Sequence, residues 1–443
     1  MKTFVIAGGG YRGILGAILL RQKGHNVTLI DAGKGLGGVL NGIQWKGYSL
    51  DLGCHLFDNT SKQHTQLLQQ ILADKMQPIE VTYGGRTEGV WHDNFTVPSY
   101  ANTHVDKAQL LHQLVIAAAE SQPVSVHNYQ SYLKQRYGNL AAQLLAKACR
   151  KKVQYDAKEL DAVAARAVLF DRVNFFDNDT SLFLKQHVHL DEVLAASAVE
   201  DPMRFYPDAK EQFEYRNIYP PGGTGVFCQK AQSYLDEIGV KVVLNAEITN
   251  YNGDLVTTSD GQTFSCDKLF WTLELEKAER LFTGQSTLAR YIHPVPMVVA
   301  YFEVNEEDVN DYTYVHDHSD DTYIFRASTI GKYSQQIIDG KTYVCCEIPT
   351  TKESEIWQHS ELFVDTIWQE FKLLNIVKEN ACYSDYKIIN APVTFKLPKI
   401  GFSETERTVR ELLAEFPNLI LTDTSYFSTQ DIAQVVADEL RDL

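Results

Sequence analysis

The sequence predicts an α/β fold in which a doubly wound, Rossmann-like domain carries an inserted α+β domain. Residues 3–8, TFVIAG, form a short apolar run that ends in glycine, which is typical of a buried parallel strand. A helical pattern over residues 11–23 and a second apolar run over 27–30 follow it. Strand, glycine turn, helix and strand within about 30 residues make a βαβ unit.

The length of the chain predicts more than one domain, since 443 residues exceed what a single core usually covers. Residues 44–53 alternate like a hairpin arm, 103–198 have helical patterns, and 295–348 alternate as in a mixed or antiparallel sheet. A strand over 418–422 and a helix over 429–440 close the chain. We therefore predict a discontinuous first domain that is interrupted by a second. The first takes residues 1–60, 216–284 and 396–443, and the second takes 61–215 and 285–395.

Charge and cysteine content disfavour several classes of protein. The formal net charge is −16, with 57 acidic against 41 basic residues, so a nucleic-acid partner is not expected. No run of about 18 apolar residues predicts a membrane span. The seven cysteines form no CxxC pair, as in reduced cytosolic proteins, and glycines interrupt the apolar N-terminus where a signal peptide needs continuity. We expect a cytoplasmic protein with a small-molecule substrate, and homo-oligomerisation is left open.

Gly8, Gly10 and Gly13 have the GxGxxG spacing of a dinucleotide-binding turn. The first glycine permits the tight turn, the second lets the backbone approach a pyrophosphate, and the third lets helix and strand pack closely. The N-terminus of the helix then faces the anion. Asp31 ends the second strand about 20 residues further on, where a carboxylate accepts hydrogen bonds from ribose hydroxyls. FAD and NAD share this fingerprint, so it predicts a dinucleotide without choosing between them.

Two further stretches resemble the start of the FAD-dependent amine oxidase superfamily, which includes protoporphyrinogen oxidase-like enzymes, phytoene desaturases and UDP-galactopyranose mutases. They are residues 31–38, DAGKGLGG, and 47–57, GYSLDLGCHLF. The resemblance implies FAD as the cofactor, with Gly37 and Gly38 against its ribityl and phosphate region and the D-x-G-x-H stretch beside the isoalloxazine ring. Looser similarities continue along nearly the whole chain, at 137–138, 155–160, 219–225, 266–272, 417–419 and 431–434.

The C-terminal segment departs from the pattern of this superfamily. Thr422-Asp423 stands where members usually have glycine followed by Asp or Arg, and the connection to Asp431 is a couple of residues short. We still expect Asp423 and Asp431 at the cofactor. Ser428 or Thr429 is a natural N-cap for the final helix, and Asp431 falls in its first turn, where a carboxylate offsets the positive helix end. Free amides of that turn would then point at a carbonyl oxygen of the flavin.

Histidine and arginine supply the candidates for catalysis and substrate binding. His55, in the D-x-G-x-H stretch, is either a catalytic residue beside the flavin or a packed side chain. Arginines can clamp a carboxylate or a phosphate, and we select Arg204 and Arg326 as substrate-binding candidates from the set Arg166, Arg172, Arg204, Arg216 and Arg326. His187, His189 and Asp191 have metal-like spacing on a predicted strand. No second ligand cluster supports them, so no metal site is predicted.

These features lead to one hypothesis and two alternatives. The first is an FAD-dependent oxidoreductase that oxidises a small polar substrate, such as an amine, an alcohol or a sugar-type compound, by hydride transfer to the flavin. The second is a non-redox flavoenzyme that acts on a nucleotide sugar, as the mutase resemblance implies, although the missing arginine after Thr422 counts against it. The third is a degenerate nucleotide-binding partner protein, which Thr422 keeps open. The arginine candidates favour a substrate that bears a phosphate or a carboxylate.

Overall fold

The computed structural model describes residues 1–59, 61–93, 95–120, 126–196, 217–426 and 428–443. One of its two large sheets is parallel, as the sequence predicts, and it has five strands. In spatial order the strands are Lys241–Val243, Asn26–Ile30, Thr3–Ala7, Lys268–Trp271 and Leu419–Leu421. They come from three distant parts of the chain, so this sheet is discontinuous in sequence.

Both faces of the parallel sheet are covered. One face packs against four helices, which are Tyr11–Gln22, Lys62–Leu72, Thr224–Glu237 and Thr429–Glu439. The other face packs against a small antiparallel sheet, whose strands are Ile248–Tyr251, Leu255–Thr258 and Thr263–Ser265. It also packs against two helices, Leu275–Thr283 and Phe402–Leu413. Layers on both faces of a parallel sheet are the doubly wound architecture. The predicted fold class is therefore confirmed.

The second large sheet has seven strands and mixed direction. Its spatial order is Tyr383–Pro398, Ile292–Asn305, Lys341–Pro349, Arg326–Ser328, Tyr314–Asp317, Tyr83–Thr87 and Val90–Asp93. Tyr314–Asp317 pairs in parallel with Tyr83–Thr87, and the other neighbouring pairs are antiparallel. Helices Glu355–Gln358 and Val364–Leu373 cover one face of this sheet. The strand Tyr383–Pro398 continues past residue 395, where the sequence analysis placed a domain boundary.

The helical patterns between residues 103 and 198 form a layer of their own. Its helices are Lys107–Ala119, Tyr129–Val153, Ala165–Val168, Asn178–Leu184 and Val188–Asp191. The longest of them is interrupted at Gly138, whose φ of 82° is not helical. This layer shares a core with Val295 and Leu397 of the seven-stranded sheet. The face of the sheet opposite Val364–Leu373 thus lies partly beneath these helices and partly beneath the strand Tyr48–Leu50 and one further short helix, Ile330–Tyr333.

The smaller elements confirm one local prediction and show where two apolar runs divide. The hairpin predicted around 44–53 is Ile43–Trp45 with Tyr48–Leu50. Residues 240–248 are not one strand, because Asn245 takes a left-handed φ of 56° and the chain leaves the sheet there. Residues 263–271 likewise divide into strands of two different sheets. A last small sheet joins Phe57–Asp58, Asn217–Ile218 and Pro78–Ile79. Across the described ranges, every helix falls short of the length or hydropathy of a membrane span.

Candidate dinucleotide and substrate site

The three fingerprint glycines occupy the turn between the first strand and the first helix. Gly8 has a φ of +100°, and its amide donates to the carbonyl of Ile30 at 2.9 Å. A Cβ on Gly13 would lie 1.8 Å from the Gly8 carbonyl oxygen, so only glycine lets the helix pack this closely. A Cβ on Gly10 would meet nothing within 4 Å. Two of the glycines are therefore required by the fold, and Gly10 faces open space.

The helix that follows this turn has no side-chain cap at its N-terminus. Gly10 is its N-cap residue, no side chain caps it, and no acidic residue lies in its first turn. The free amides and the helix dipole favour an anion at this position. An open face above Gly10 and an uncapped helix start are together what a dinucleotide pyrophosphate requires, so the residues fit such a group.

A second glycine turn lies directly against the first. The Gly37 amide donates to the Gly9 carbonyl at 2.8 Å, and a Cβ on Gly38 would lie 3.6 Å from the Cα of Gly10. Gly37 and Gly38 have positive φ values of 108° and 58°. Gly37 and Gly38, which the resemblance assigns to the ribityl and phosphate region, therefore lie beside the predicted pyrophosphate position.

Asp31 lies at the end of the second strand, where the fingerprint predicts an acid. Its carboxylate accepts hydrogen bonds from the amides of Gly9 and Gly33, each at 2.6 Å. These bonds hold the two turns in place. A carboxylate has about four lone-pair positions, so two hydrogen bonds leave capacity for the hydroxyls of a ribose. The ribose contact itself stays a prediction.

Asp51, the first residue of the D-x-G-x-H stretch, links that stretch to a helix 173 residues away in sequence. It is fully buried, and it accepts from the Thr224 amide at 2.9 Å, from the Thr224 hydroxyl at 2.7 Å and from the Tyr219 hydroxyl. Burial raises the pKa of Asp51 to about 6, although these hydrogen bonds act in the opposite direction. Sequence reasoning did not identify this role, because the partner lies so far along the chain.

His55 is half-buried in the same stretch, and its Nε2 lies 3.0 Å from the Leu52 carbonyl oxygen. Burial lowers the pKa of His55, and the nearby Arg326 lowers it further. The ring is therefore neutral at pH 7. Since a carbonyl only accepts, Nε2 carries the proton, and Nδ1 is left as an acceptor. The lone pair on Nδ1 can therefore accept a hydrogen bond.

Arg326, the second arginine candidate, is held by a carboxylate on the neighbouring strand. Its Nε and Nη2 donate to the two oxygens of Glu347, both at 2.7 Å. The Cys54 amide also donates to Glu347 Oε1, at 3.2 Å. This bidentate pair fixes the guanidinium beneath the D-x-G-x-H stretch. The structure thereby brings Arg326 and His55 together, whereas Arg204 and Arg216 lie outside the described residues.

Polar side chains continue from this pair across the seven-stranded sheet. His316, Arg326 and Glu347 are direct cross-strand neighbours on three adjacent strands. Directly opposed residues share one face of a sheet, so the three side chains form a row on the face that lies beneath the helical layer. Beyond the alternation of polar and apolar residues, nothing in the sequence pointed to His316 or Glu347, because strand register decides which residues meet.

The N-terminus of the final helix is occupied by a protein carboxylate. Ser428 is the N-cap and accepts from the Asp431 amide at 3.3 Å, as the sequence predicts. Asp58 accepts from the Ser428 hydroxyl at 3.0 Å, the Thr429 hydroxyl at 2.8 Å and the Gln430 amide at 3.2 Å. The expectation of free amides directed at the flavin is therefore wrong for Gln430 and Asp431. Asp431 does lie in the first turn, and its contact with a cofactor stays a prediction.

Asp423 lies at the carboxyl end of the last strand, close to Arg12 of the first helix. Its amide donates to Glu439 at 2.8 Å, and its carboxylate accepts from the Ser425 amide at 2.9 Å. Arg12 donates from Nη2 to the Tyr426 carbonyl at 2.6 Å, and its buried Nε has no partner among the described residues. Burial lowers the pKa of Arg12, while Asp423 acts in the opposite direction. Asp423 therefore lies beside the dinucleotide turn, although its role there is untested.

The two other described arginine candidates form hydrogen bonds with groups of the protein itself. Arg166 donates to the Ser425 hydroxyl at 3.2 Å, and Arg172 donates to the Asp191 carbonyl at 2.9 Å. Val188–Asp191 is a short helix, not the predicted strand, so His187 and His189 do not have strand spacing. Among the described residues, no group of three His, Cys, Asp or Glu side chains is arranged to hold a metal ion.

Comparison with known proteins agrees with this geometry. Residues 6–71 match the family described as NAD(P)-binding Rossmann-like domain. The 1-hydroxycarotenoid 3,4-desaturase of Flavobacterium sp. (strain P99-3) is 23% identical over 292 residues, which are 62% of this chain and 57% of that protein. The 4,4'-diaponeurosporene oxygenase of Staphylococcus haemolyticus (strain JCSC1435) is 27% identical over 116 residues, 25% of this chain and 21% of that protein. The chain thus spans less than two thirds of either relative.

Solved structures match over the whole chain. Reduced UDP-galactopyranose mutase gives a TM-score of 0.72 at 14% identity, covering 99% of this chain and 93% of the mutase. Putrescine oxidase bound to putrescine gives 0.64 at 13% identity, covering 100% and 98%. The molecule therefore contains a Rossmann-like domain and a second, mixed sheet. More particularly, it has the fold of the FAD-dependent amine oxidase superfamily, which confirms the predicted resemblance. FAD, the predicted cofactor, agrees with this fold.

Proposed function

We propose that this protein is an FAD-dependent oxidoreductase that oxidises a small polar substrate. The observation that carries the proposal is the open face of Gly10 at an uncapped helix N-terminus, with the Gly37–Gly38 turn bonded to it. In this proposal the first-helix amides hold the pyrophosphate, Asp31 holds a ribose, and Gly37 and Gly38 lie along the ribityl region. When bound, the flavin supplies a hydride acceptor for the substrate carbon.

The chain's own residues orient the substrate and move its proton. His55 presents an unprotonated Nδ1, because its Nε2 faces the Leu52 carbonyl and its pKa is lowered by burial. It therefore accepts the proton from a substrate hydroxyl or ammonium group. Arg326 is held rigid by Glu347, so it can orient a polar or anionic group without losing side-chain entropy on binding.

A second candidate function is a non-redox rearrangement of a nucleotide sugar. It is favoured by the fold match to UDP-galactopyranose mutase over 99% of this chain. A rigid, half-buried arginine, Arg326, in the row beneath the D-x-G-x-H stretch also suits a diphosphate. The two candidates differ in their electron balance, because oxidation consumes the oxidised cofactor and rearrangement leaves the cofactor unchanged.

The absorbance of the purified protein tests the proposal. We expect flavin maxima that bleach when an amine, alcohol or sugar substrate is added without oxygen. Gly10→Val should abolish flavin content while leaving the melting temperature of the cofactor-free protein unchanged, because the new Cβ meets no protein atom within 4 Å. Gly10→Ala is the matched control and should reduce occupancy less. Full flavin occupancy in Gly10→Val would place the pyrophosphate elsewhere, and activity only after prereduction, without net electron transfer, would favour the rearrangement.

A further inference from the structure

The row of polar side chains continues beyond Arg326 into a buried group of imidazoles. His316 is 8% exposed and His318 is 5% exposed, and their rings are stacked 5.9 Å apart. Both contact the ring of Phe325, at centroid distances of 5.0 and 5.8 Å. His316 Nδ1 is buried and has no hydrogen-bond partner among the described residues. A buried polar atom left without a partner costs about 1–3 kcal/mol, so such a group requires an explanation.

Lys152, near the end of the long helix Tyr129–Val153, brings a cation to the same place. Its Nζ lies 5.8 Å from the centroid of Phe325 and 5.7 Å from that of Phe170, whose ring also contacts His318. Its one described hydrogen bond is donated to the Val168 carbonyl, at 2.7 Å. The aromatic rings of Phe170 and Phe325 thus hold the ammonium and the imidazoles around one point.

Lys152 has no described carboxylate in direct contact to balance its charge. Within the described ranges, no carboxylate oxygen lies within 4.0 Å of Lys152 Nζ, while both oxygens of Glu347 are taken by Arg326. Burial and the nearby Arg326 lower the pKa of Lys152 to about 8, although Asp171 and Glu347 act in the opposite direction. The pKa of His316 is lowered by burial and by its cationic neighbours. A buried cation without a counter-ion is costly, and an anion bound there would offset that cost.

We propose that Lys152, His316 and His318 form a subsite for an anionic group of the substrate, a phosphate or a carboxylate. That the ligand is the substrate rests on the proposed function, but the anion site itself does not. Neighbouring strands are about 4.8 Å apart, and His316 is two strands from Glu347, which contacts the D-x-G-x-H stretch. The substrate therefore carries its anionic group about 10 Å from the end that meets this stretch.

The test is direct binding of inorganic phosphate and of malonate to the purified full chain, by calorimetry at constant ionic strength. Lys152→Met should weaken the tighter of the two probes by about tenfold or more, because a hydrogen bond to a charged group is worth about 1.5–3 kcal/mol. His316→Phe keeps the ring packing and should also weaken binding. Lys152→Arg keeps the charge and should restore most of it. Whichever probe binds more tightly identifies the group as a phosphate or a carboxylate.

Two controls separate this subsite from other sources of anion binding. Lys147→Met removes a lysine from the same helix whose side chain is 58% exposed, and it should leave affinity unchanged. Gly10→Val blocks the dinucleotide turn and should also leave it unchanged. Absence of saturable binding, or binding by Lys152→Met and His316→Phe equal to that of the wild type, would overturn the proposal. Binding lost in Gly10→Val and kept in Lys152→Met would place the anion at the glycine turn, which overturns the subsite and leaves the proposed function intact.

Discussion

We predict that the buried negative charge of Asp51 destabilises the folded protein at neutral pH, although the carboxylate accepts several hydrogen bonds. Its pKa is raised from an ordinary value of 3.8 to about 6, chiefly by burial. A shift of about two pKa units corresponds to about 3 kcal/mol. Because the folded protein holds this proton more tightly than the unfolded chain does, this contribution to stability is fully present below about pH 4 and is lost as pH rises through about 6.

The substitution Asp51→Asn separates charge from shape. The amide resembles the protonated acid, and its oxygen still accepts from the Thr224 amide, while its nitrogen donates to a Tyr219 hydroxyl that has turned round. At pH 4 the variant should match the wild type within about 1 kcal/mol. At pH 7.5 it should be more stable by about 2–3 kcal/mol, since it has no buried charge.

Urea unfolding at the two pH values, with saturating FAD in both proteins, measures this difference. Asp311→Asn is a suitable control, because Asp311 is 96% exposed and a hydrogen bond from Lys332 lowers its pKa, the opposite direction. We expect that control to show no gain in stability at pH 7.5. An Asp51→Asn protein that is less stable than the wild type by the same amount at both pH values would refute the reasoning, since only a pH-dependent difference reports a buried charge.

Three more predictions concern the substrate side and the fold. His55→Gln can still donate to the Leu52 carbonyl but cannot accept the proton, so flavin reduction should slow by about 10²–10⁴-fold with FAD content unchanged; an unchanged rate and pH profile would make His55 a packing residue. Arg326→Met should cost about 3–5 kcal/mol by leaving Glu347 charged and unpaired, and adding Glu347→Leu should restore most of it in urea unfolding. The Glu279 carboxylate accepts hydrogen bonds from the amides of Thr287 and Leu288, each at 2.9 Å. Glu279→Ala should therefore lower the free energy of unfolding by about 2–3 kcal/mol and speed hydrogen exchange at these two amides. Slow exchange at both amides would contradict the prediction.

The dinucleotide turn could be predicted because its information is local. Gly8, Gly10 and Gly13 lie within one strand–helix connection, and each is required by backbone geometry or by the open space above the turn. Arg326 was predicted for its charge alone, as one of five arginines. What distinguishes it is Glu347, 21 residues away on a neighbouring strand. Only the register of that sheet brings the two together, and register is set by packing of the whole sheet.

The prediction for the final helix failed for a related physical reason. The sequence correctly places Ser428 as its N-cap, since capping depends on residues that are close in sequence. It could not show that Asp58, 370 residues earlier, fills the same helix end. The free amides expected there were inferred from one helix alone. A helix N-terminus is available to a ligand only if no other part of the chain reaches it first.

The same condition distinguishes the N-termini of three helices around this site. Asp51 and Asp58 border one short stretch, and each carboxylate occupies the start of a different helix, Thr224–Glu237 and Thr429–Glu439. The stretch between them, which carries His55, is therefore fixed at both ends against two rigid elements. The third helix around this site begins at Gly10 and has neither a side-chain cap nor an acid in its first turn. Since the chain has satisfied two positive helix ends with its own carboxylates and left the third open, the open one is where an external anion, such as the pyrophosphate of the proposed cofactor, is best stabilised.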